Sequence, residues 1–346
     1  MCENRPTFIT EAQVEELLTW PAVYEASEQA LQSICEKRTS DSQPSAKQPP
    51  RPFVELERRN GLAFSMLGYI ENYRMQSVDQ GKVFDTLAHK IVTAFTKNGQ
   101  LAKPLPVIIA TVFLFDTMTG QLKTIVEGNG VTAWRTAGSC MVGTKYLYFD
   151  RNEKCKSDKV LGILGCGVQG RIHAIGISTM FPISEIHLWN RSVAKAAELK
   201  KELESLAGTF KSKHVKIFIH ENVRDCVKTA DIIVTATQST SPILFEDMVK
   251  ENVHINAVGA SKDHHSEIDL KLYRNSKLYV DSWTGGKTEL KSLDCPIEAE
   301  VGEIITKSKA LTQNQRTIFH SLGMAVTDAV VAQIAETLYL KKKSTF

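Results

Sequence analysis

No two cysteines of this 346-residue chain form a CxxC pair. The seven present (Cys2, Cys35, Cys140, Cys155, Cys166, Cys226, Cys295) are odd in number, widely spaced and without a histidine at zinc-ligand spacing, which argues against a disulfide framework and a structural zinc site. Apolar runs are short, and none reaches the roughly 18 residues that a membrane-crossing helix needs. An excess of one charge sign is also missing: 42 Lys and Arg stand against 39 Asp and Glu, a formal charge of +3. No basic stripe interleaved with aromatics accompanies it, so nucleic acid is not an expected partner. Met1 to Thr10 has no basic stretch followed by an apolar one, and Lys341 to Phe346 is neither a prenylation box nor a peroxisomal tripeptide. A cytoplasmic location is the expectation.

What is present is ordinary for a globular chain, with 42% hydrophobic and 23% charged residues. At roughly 150 residues per domain the length suggests two domains, each able to bury a core without metal or disulfide staples. Residues 9–37 read as helical, with Ile9, Val14, Leu17, Leu18, Val23 and Leu31 near helical spacing. Residues 38–52, rich in Ser, Gln, Lys and Pro, read as a loop. The polar stretch 71–82 reads as a second loop or hairpin. Residues 107–115 (VIIATVFLF), the turn DTMTG and residues 121–126 together predict a β-hairpin.

From residue 159 the rhythm changes. KVLGIL (159–164) predicts a buried strand, 168–180 a helix, EIHLWN (185–190) a second strand and 193–206 a strong helix former. HVKIFI, DIIVTAT, HINAVGA and KLYVDS follow as short β-rich runs. This alternation predicts an α/β doubly wound parallel sheet. Residues 321–340 read as a closing helix.

Gly165-Cys166-Gly167-Val168-Gln169-Gly170 lies between a predicted strand and a predicted helix, the context of a dinucleotide-binding fingerprint. The first glycine permits the tight turn and the second lets backbone approach a pyrophosphate. The third allows close helix–strand packing, with the helix N-terminus facing the phosphates. The second strand ends Trp189-Asn190-Arg191-Ser192, without the carboxylate that accepts from the ribose 2′-hydroxyl of NAD. A guanidinium, an amide and a hydroxyl suit a 2′-phosphate, so Asn190, Arg191 and Ser192 favour NADPH over NADH.

VEGNGVTAWRTAG (126–138), GILGCGVQG (162–170), IHLWNRS (186–192), INAVGAS (255–261), LYVDS (278–282) and SLGMAV (321–326) together resemble the ornithine cyclodeaminase/mu-crystallin family, and most closely its ketimine-reducing mu-crystallin branch. The resemblance runs in order along nearly the whole chain. It implies a homodimer in which residues 1–140 and 318–346 form an α+β dimerisation and substrate domain. A Rossmann NADP-binding domain, 141–317, is inserted between them. It further implies an oxidoreductase acting on C=N bonds, with no metal: NADPH-dependent reduction of cyclic ketimine carboxylates to cyclic secondary amino acids.

The resemblance also implies roles for single residues. Arg51 matches the family's carboxylate-binding arginine and Lys90 its active-site lysine, a proton donor or carboxylate partner; apart from the family, Lys90 reads as a helix lysine with its stem on apolar surface. Arg135 and Thr136 fall at phosphate contacts, with Arg135 also near the substrate. Thr237, Gln238, Val258 and Ser261 fall at strand ends beside the cofactor, and Ser321 near the nicotinamide. Ser261 stands where cyclodeaminases carry an aspartate, which disfavours loss of ammonia. His173 is assigned no role.

Three features depart from the family pattern. Val107, Ile108 and Ile109 replace polar residues, Thr284 replaces an acidic one, and the 71–82 connection is longer. These leave open two further readings that the resemblance allows: an NADPH-dependent binder of a small thyroid-hormone-like ligand, and another family enzyme such as an amino-acid dehydrogenase or cyclodeaminase.

Overall fold

A computed structural model describes residues 5–35, 44–152, 157–259, 265–311 and 315–344. The chain divides into two compact units, Met1–Arg135 with Met324–Phe346, and Thr136–Gly323.

The first unit opens with strand β1 (Thr7–Ile9), helix α1 (Glu11–Leu17) and helix α2 (Trp20–Ser33). The sequence suggested one helical stretch here; the structure breaks it in two. Leu18 is extended, and Pro21, which has no N–H to continue α1, falls in the first turn of α2, where no partner is required. Strands β2 (Ser45–Lys47), β3 (Phe53–Leu56), β4 (Gly61–Arg74), β5 (Val83–Phe95), β6 (Ile108–Phe115) and β7 (Leu122–Glu127) follow. The loop expected over 38–52 thus contains a short edge strand, while residues 36–43 lie outside the described residues. The sheet order is β1-β7-β6-β5-β4-β2, with β3 also on β4; only β1–β7 is parallel.

Residues 71–82 divide between the end of β4 and a turn into β5. Glu25 on α2 accepts the N–H groups of Gln76 and Ser77 and the Ser77 hydroxyl, which pins that turn to its own unit. The expected 107–126 hairpin is present as β6–β7.

Strand alternation gives the sheet two faces. Met66, Ile70, Ala88, Lys90, Val92, Val112 and Val126 are buried on one face. Helix α3 (Gly128–Thr144), whose first half belongs to this unit, begins directly after β7. The C-terminal helix (Ala325–Ser344) packs on β4, β5 and α2.

The second unit holds β8 (Lys159–Leu164), α4 (Val168–Met180), β9 (Ile183–Trp189), α5 (Val193–Leu206), β10 (Lys216–Ile219), α6 (Val223–Val227), β11 (Ile232–Thr235), β12 (His254–Ala257), α7 (Leu270–Arg274), β13 (Lys277–Val280), α8 (Trp283–Glu289), β14 (Ile297–Glu300), α9 (Val301–Ile305) and β15 (Thr317–His320). All eight strands are parallel, in the order β10-β9-β8-β11-β12-β15-β13-β14. Ile232–Val234 and Ile255 are fully buried, as expected for strands covered on both faces. The order reverses between β8 and β11, and the crevice at such a reversal is where doubly wound sheets bind ligands.

Candidate active site

The glycine motif occupies the turn from β8 into α4. Gly165 has φ +103°, a backbone angle that disfavours side chains, and a Cβ there would lie 2.5 Å from the Ala236 carbonyl oxygen. A Cβ on Gly170 would lie 1.7 Å from the Gly165 carbonyl oxygen, so the helix packs this close only without one. Gly167 is the residue before α4, and nothing lies within 4 Å of where its Cβ would be. Val168, first in the helix, is exposed. This leaves room in front of the free N–H groups of α4. His173 lies farther along α4, buried, with Nδ1 2.7 Å from the Gln169 carbonyl; burial pushes its pKa down to about 4. It is a neutral packing residue.

The loop is tied to the tip of β9. Gly165 N–H donates to the Trp189 carbonyl at 2.9 Å, and Cys166 N–H donates to Asn190 Oδ1 at 3.0 Å. The Asn190 amide nitrogen donates in turn to the Ser192 carbonyl at 2.9 Å. Both ends of the Asn190 amide are therefore engaged in holding the loop, and Arg191 and Ser192 are the exposed groups at this tip.

Thr237 and Gln238 follow β11, Val258 follows β12 and Ser321 follows β15, so all four stand at the C-terminal ends of neighbouring parallel strands. A carboxylate that sequence reasoning missed organises this edge. Glu267, buried, accepts the Thr237 N–H at 2.7 Å and the Thr237 hydroxyl at 2.5 Å on one oxygen. Its other oxygen would be 1.8 Å from a Cβ on Gly259, so only glycine passes there. Burial raises the Glu267 pKa, and the Thr237 hydrogen bonds oppose the rise. Asp281, in LYVDS, accepts the N–H groups of Leu322 and Gly323 at 2.9 and 2.7 Å, which fixes the turn containing Ser321. Ser321 donates its N–H to the Ala257 carbonyl, and its hydroxyl is buried without a hydrogen-bond partner.

In the first unit the structure gathers Arg51, Lys90 and Arg135. Lys90 lies on β5, not on a helix, between Met66 and Val112 on the buried face of the sheet. Its ammonium is not at the surface either: the side chain is 1% exposed. Lys90 Nζ donates to Asp328 Oδ1 at 2.7 Å, and Arg135 Nε donates to the same oxygen at 3.1 Å. Thr132, one turn before Arg135 on α3, lies 3.4 Å from Lys90 Nζ. Arg51, half-buried just before β3, places its guanidinium 5.6 Å from the centre of the Phe64 ring. Burial drives the Lys90 pKa down to about 7; the Asp328 carboxylate opposes this, while the Arg135 and Arg51 charges add to it. Asp328 was not singled out from sequence. The one available signal was a lone carboxylate within the apolar run AVTDAVVA.

Thr136 is buried on α3, immediately after Arg135. Ser261 lies outside the described residues. Of the departures from the family pattern, Ile108, Ile109 and Thr284 are exposed. No group of three or more His, Cys, Asp or Glu able to hold a metal occurs among the described residues, and no helix among them is long and apolar enough to cross a membrane.

The model of the ornithine cyclodeaminase/mu-crystallin family matches residues 5–342. Ketimine reductase mu-crystallin of Macropus fuliginosus is 34% identical over 333 residues, 95% of this chain and 96% of its own. Delta(1)-pyrroline-2-carboxylate reductase of Bacillus cereus is 31% identical over 272 residues, 75% of this chain and 78% of its own. Among solved structures, that of Thermococcus litoralis Delta(1)-pyrroline-2-carboxylate reductase in complex with NADH and L-proline has a TM-score of 0.82 at 27% identity, covering 97% of this chain and 98% of that one. The chain belongs to the ornithine cyclodeaminase/mu-crystallin family.

Proposed function

We propose that the protein is an NADPH-dependent reductase of cyclic ketimine carboxylates, converting their C=N bond to a cyclic secondary amine. The observation that carries this reading is the buried group of Lys90, Arg135 and Asp328, with the Arg51 charge beside it. Imine reduction asks little of a protein: a cation for the substrate carboxylate, a proton for the imine nitrogen and a hydride for the carbon. Arg51 and Arg135 each offer a planar fork suited to a carboxylate. Lys90 is the proton source. Its pKa of about 7 lets the ammonium part with a proton near neutral pH, where an ordinary lysine would hold it. The names of the relatives at 34% and 31% identity support the substrate class. Ser261, in place of the cyclodeaminase aspartate, weighs against loss of ammonia.

The second unit has groups that fit a dinucleotide. Gly165, Gly167, Val168 and Gln169 would hold the pyrophosphate at the start of α4, and Thr136 a phosphate oxygen. Arg191 and Ser192 would take the 2′-phosphate, with Asn190 keeping their loop in place. Thr237, Gln238 and Val258 would line the nucleotide's path, and the Ser321 hydroxyl has hydrogen-bonding capacity left for the carboxamide of nicotinamide. Bound NADPH supplies the hydride.

The working form is a homodimer. The outer face of the first unit's sheet carries Leu67, Leu87, Ile91, Phe113, Phe115 and Ile125, each half-buried or exposed. Leu67, His89, Phe113 and Ile125 form one cross-strand row. A contiguous apolar face of this kind suits a second copy of the chain.

Purified protein supplied with NADPH and either a five- or six-membered cyclic ketimine carboxylate tests the reading. Turnover of at least one ring size is expected, weakened by Arg51→Ala and by removal of the substrate carboxylate. Tight NADPH binding with neither ring reduced would overturn it.

A further inference from the structure

Lys90 and Arg135 both pair with Asp328. Among the described residues, the charged groups that act on Lys90 are Asp328 from the C-terminal helix, Arg135 from α3 and Arg51 from the segment before β3. Three positive charges thus meet one negative. A carboxylate that merely neutralised them could spread its contacts over two oxygens. Here Lys90 Nζ and Arg135 Nε converge on Oδ1, while Oδ2 is buried and has no hydrogen-bond partner. The arrangement leaves a buried acceptor unused, and in exchange it holds two side chains from different elements at one point.

We propose that Asp328 is a positioning residue for imine reduction: by drawing the Lys90 ammonium and the Arg135 guanidinium onto a single oxygen, it sets the distance between the proton donor and a cation that holds the substrate carboxylate. The inference rests on the reductase reading of the same site. Two consequences follow from the geometry. Removing the charge leaves burial and two like charges acting on Lys90 without opposition, so the lysine gives up its proton at lower pH. Lengthening the side chain by one methylene keeps the charge and moves the shared oxygen, so the lysine stays charged over the same range but stands in the wrong place.

The test compares wild type with Asp328→Asn and Asp328→Glu in the full chain. Lys90 is titrated by NMR on isotope-labelled lysine, assigned with Lys90→Arg, and kcat/KM for a cyclic ketimine carboxylate is followed against pH. Asp328→Asn is expected to move the Lys90 titration and the alkaline limb of kcat/KM together to lower pH, by about one unit or more. Asp328→Glu is expected to leave the titration within a few tenths of a unit and still lower kcat/KM at least tenfold at pH 6. Wild-type kcat/KM in Asp328→Glu, or an unmoved Lys90 titration in folded Asp328→Asn, overturns the proposal. If Asp328→Asn does not fold, Asp328→Glu decides alone. The titration needs no substrate, so it still judges Asp328 should wild type reduce no ketimine, an outcome that would count against the reductase reading instead.

Discussion

Lys90 Nζ stands 2.7 Å from Asp328 Oδ1, with the two residues 238 positions apart and both side chains 1% exposed. Such a pair is a poor source of net stability, because removing both charges from water offsets most of their attraction. Breaking it is another matter, since the partner left behind is a buried charge with its compensation reduced. The pair therefore points to a function for Lys90 that an apolar residue in the same place could not perform.

Replacing Lys90 by Met keeps most of the side-chain volume and removes the proposed proton source. We expect kcat to fall by about 100-fold or more, in line with the loss of a general acid. Steady-state rates on folded protein check this. An unchanged kcat would remove Lys90 from the chemistry.

The pH dependence has a definite sign. The unfolded chain holds the Lys90 proton to its ordinary value near 10.5, whereas the folded protein releases it near 7. Between these limits the unfolded state binds more protons, so this residue makes folding more favourable as pH rises from about 7 to 10. In Lys90→Met that contribution should vanish, which denaturation at pH 7 and pH 9 measures as a smaller gain in stability than wild type shows. Activity runs the other way: kcat/KM of wild type should decline above pH 7 as the ammonium is lost.

The second unit was legible in the sequence because its signals are local. An apolar run, a glycine turn and a strong helix former placed α4 and α5 with their ends correct, at 168–180 and 193–206. The family resemblance was likewise carried by contiguous motifs. The first unit was harder to read. A hydrophobic spacing near 3.6 ran through Leu17, Leu18 and Val23, although Pro21 starts a separate helix there. Lys90 could be taken for a helix residue until its neighbours Ala88 and Val92 are seen to share the buried face of a strand. Asp328 and Glu267 were not found at all, since neither belongs to a local motif. Their importance comes from partners 238 and 30 positions away.

At Gly170 any side chain meets the Gly165 carbonyl oxygen. Gly170→Ala should force α4 away from its strand and weaken NADPH binding by about 100-fold or more, as calorimetry would detect. Binding at wild-type strength would show that the nucleotide does not use this turn.

If the protein uses NADPH as proposed, Arg191 should discriminate between the two nicotinamide cofactors. Arg191→Ala should weaken NADPH about tenfold or more through loss of a charge-assisted pair, and leave NADH within about twofold. Equal losses for both would exclude a 2′-phosphate contact.

The open sheet face should tolerate charge in a monomer and not in a dimer. Leu67 is 42% exposed in the single chain, so Leu67→Glu is expected to fold with wild-type circular dichroism but sediment as a monomer. A Leu67→Glu dimer would put the interface elsewhere.

Isotope transfer follows the proposed delivery of a hydride to the carbon of a cyclic imine. Wild-type protein is given NADPH deuterated at the transferable position together with a cyclic ketimine carboxylate, and the product is weighed by mass spectrometry. The expected result is a cyclic secondary amino acid carrying deuterium on its α-carbon, formed in step with NADPH consumption. Consumption of NADPH without deuterium in the product, or no consumption with either ring size, would contradict it.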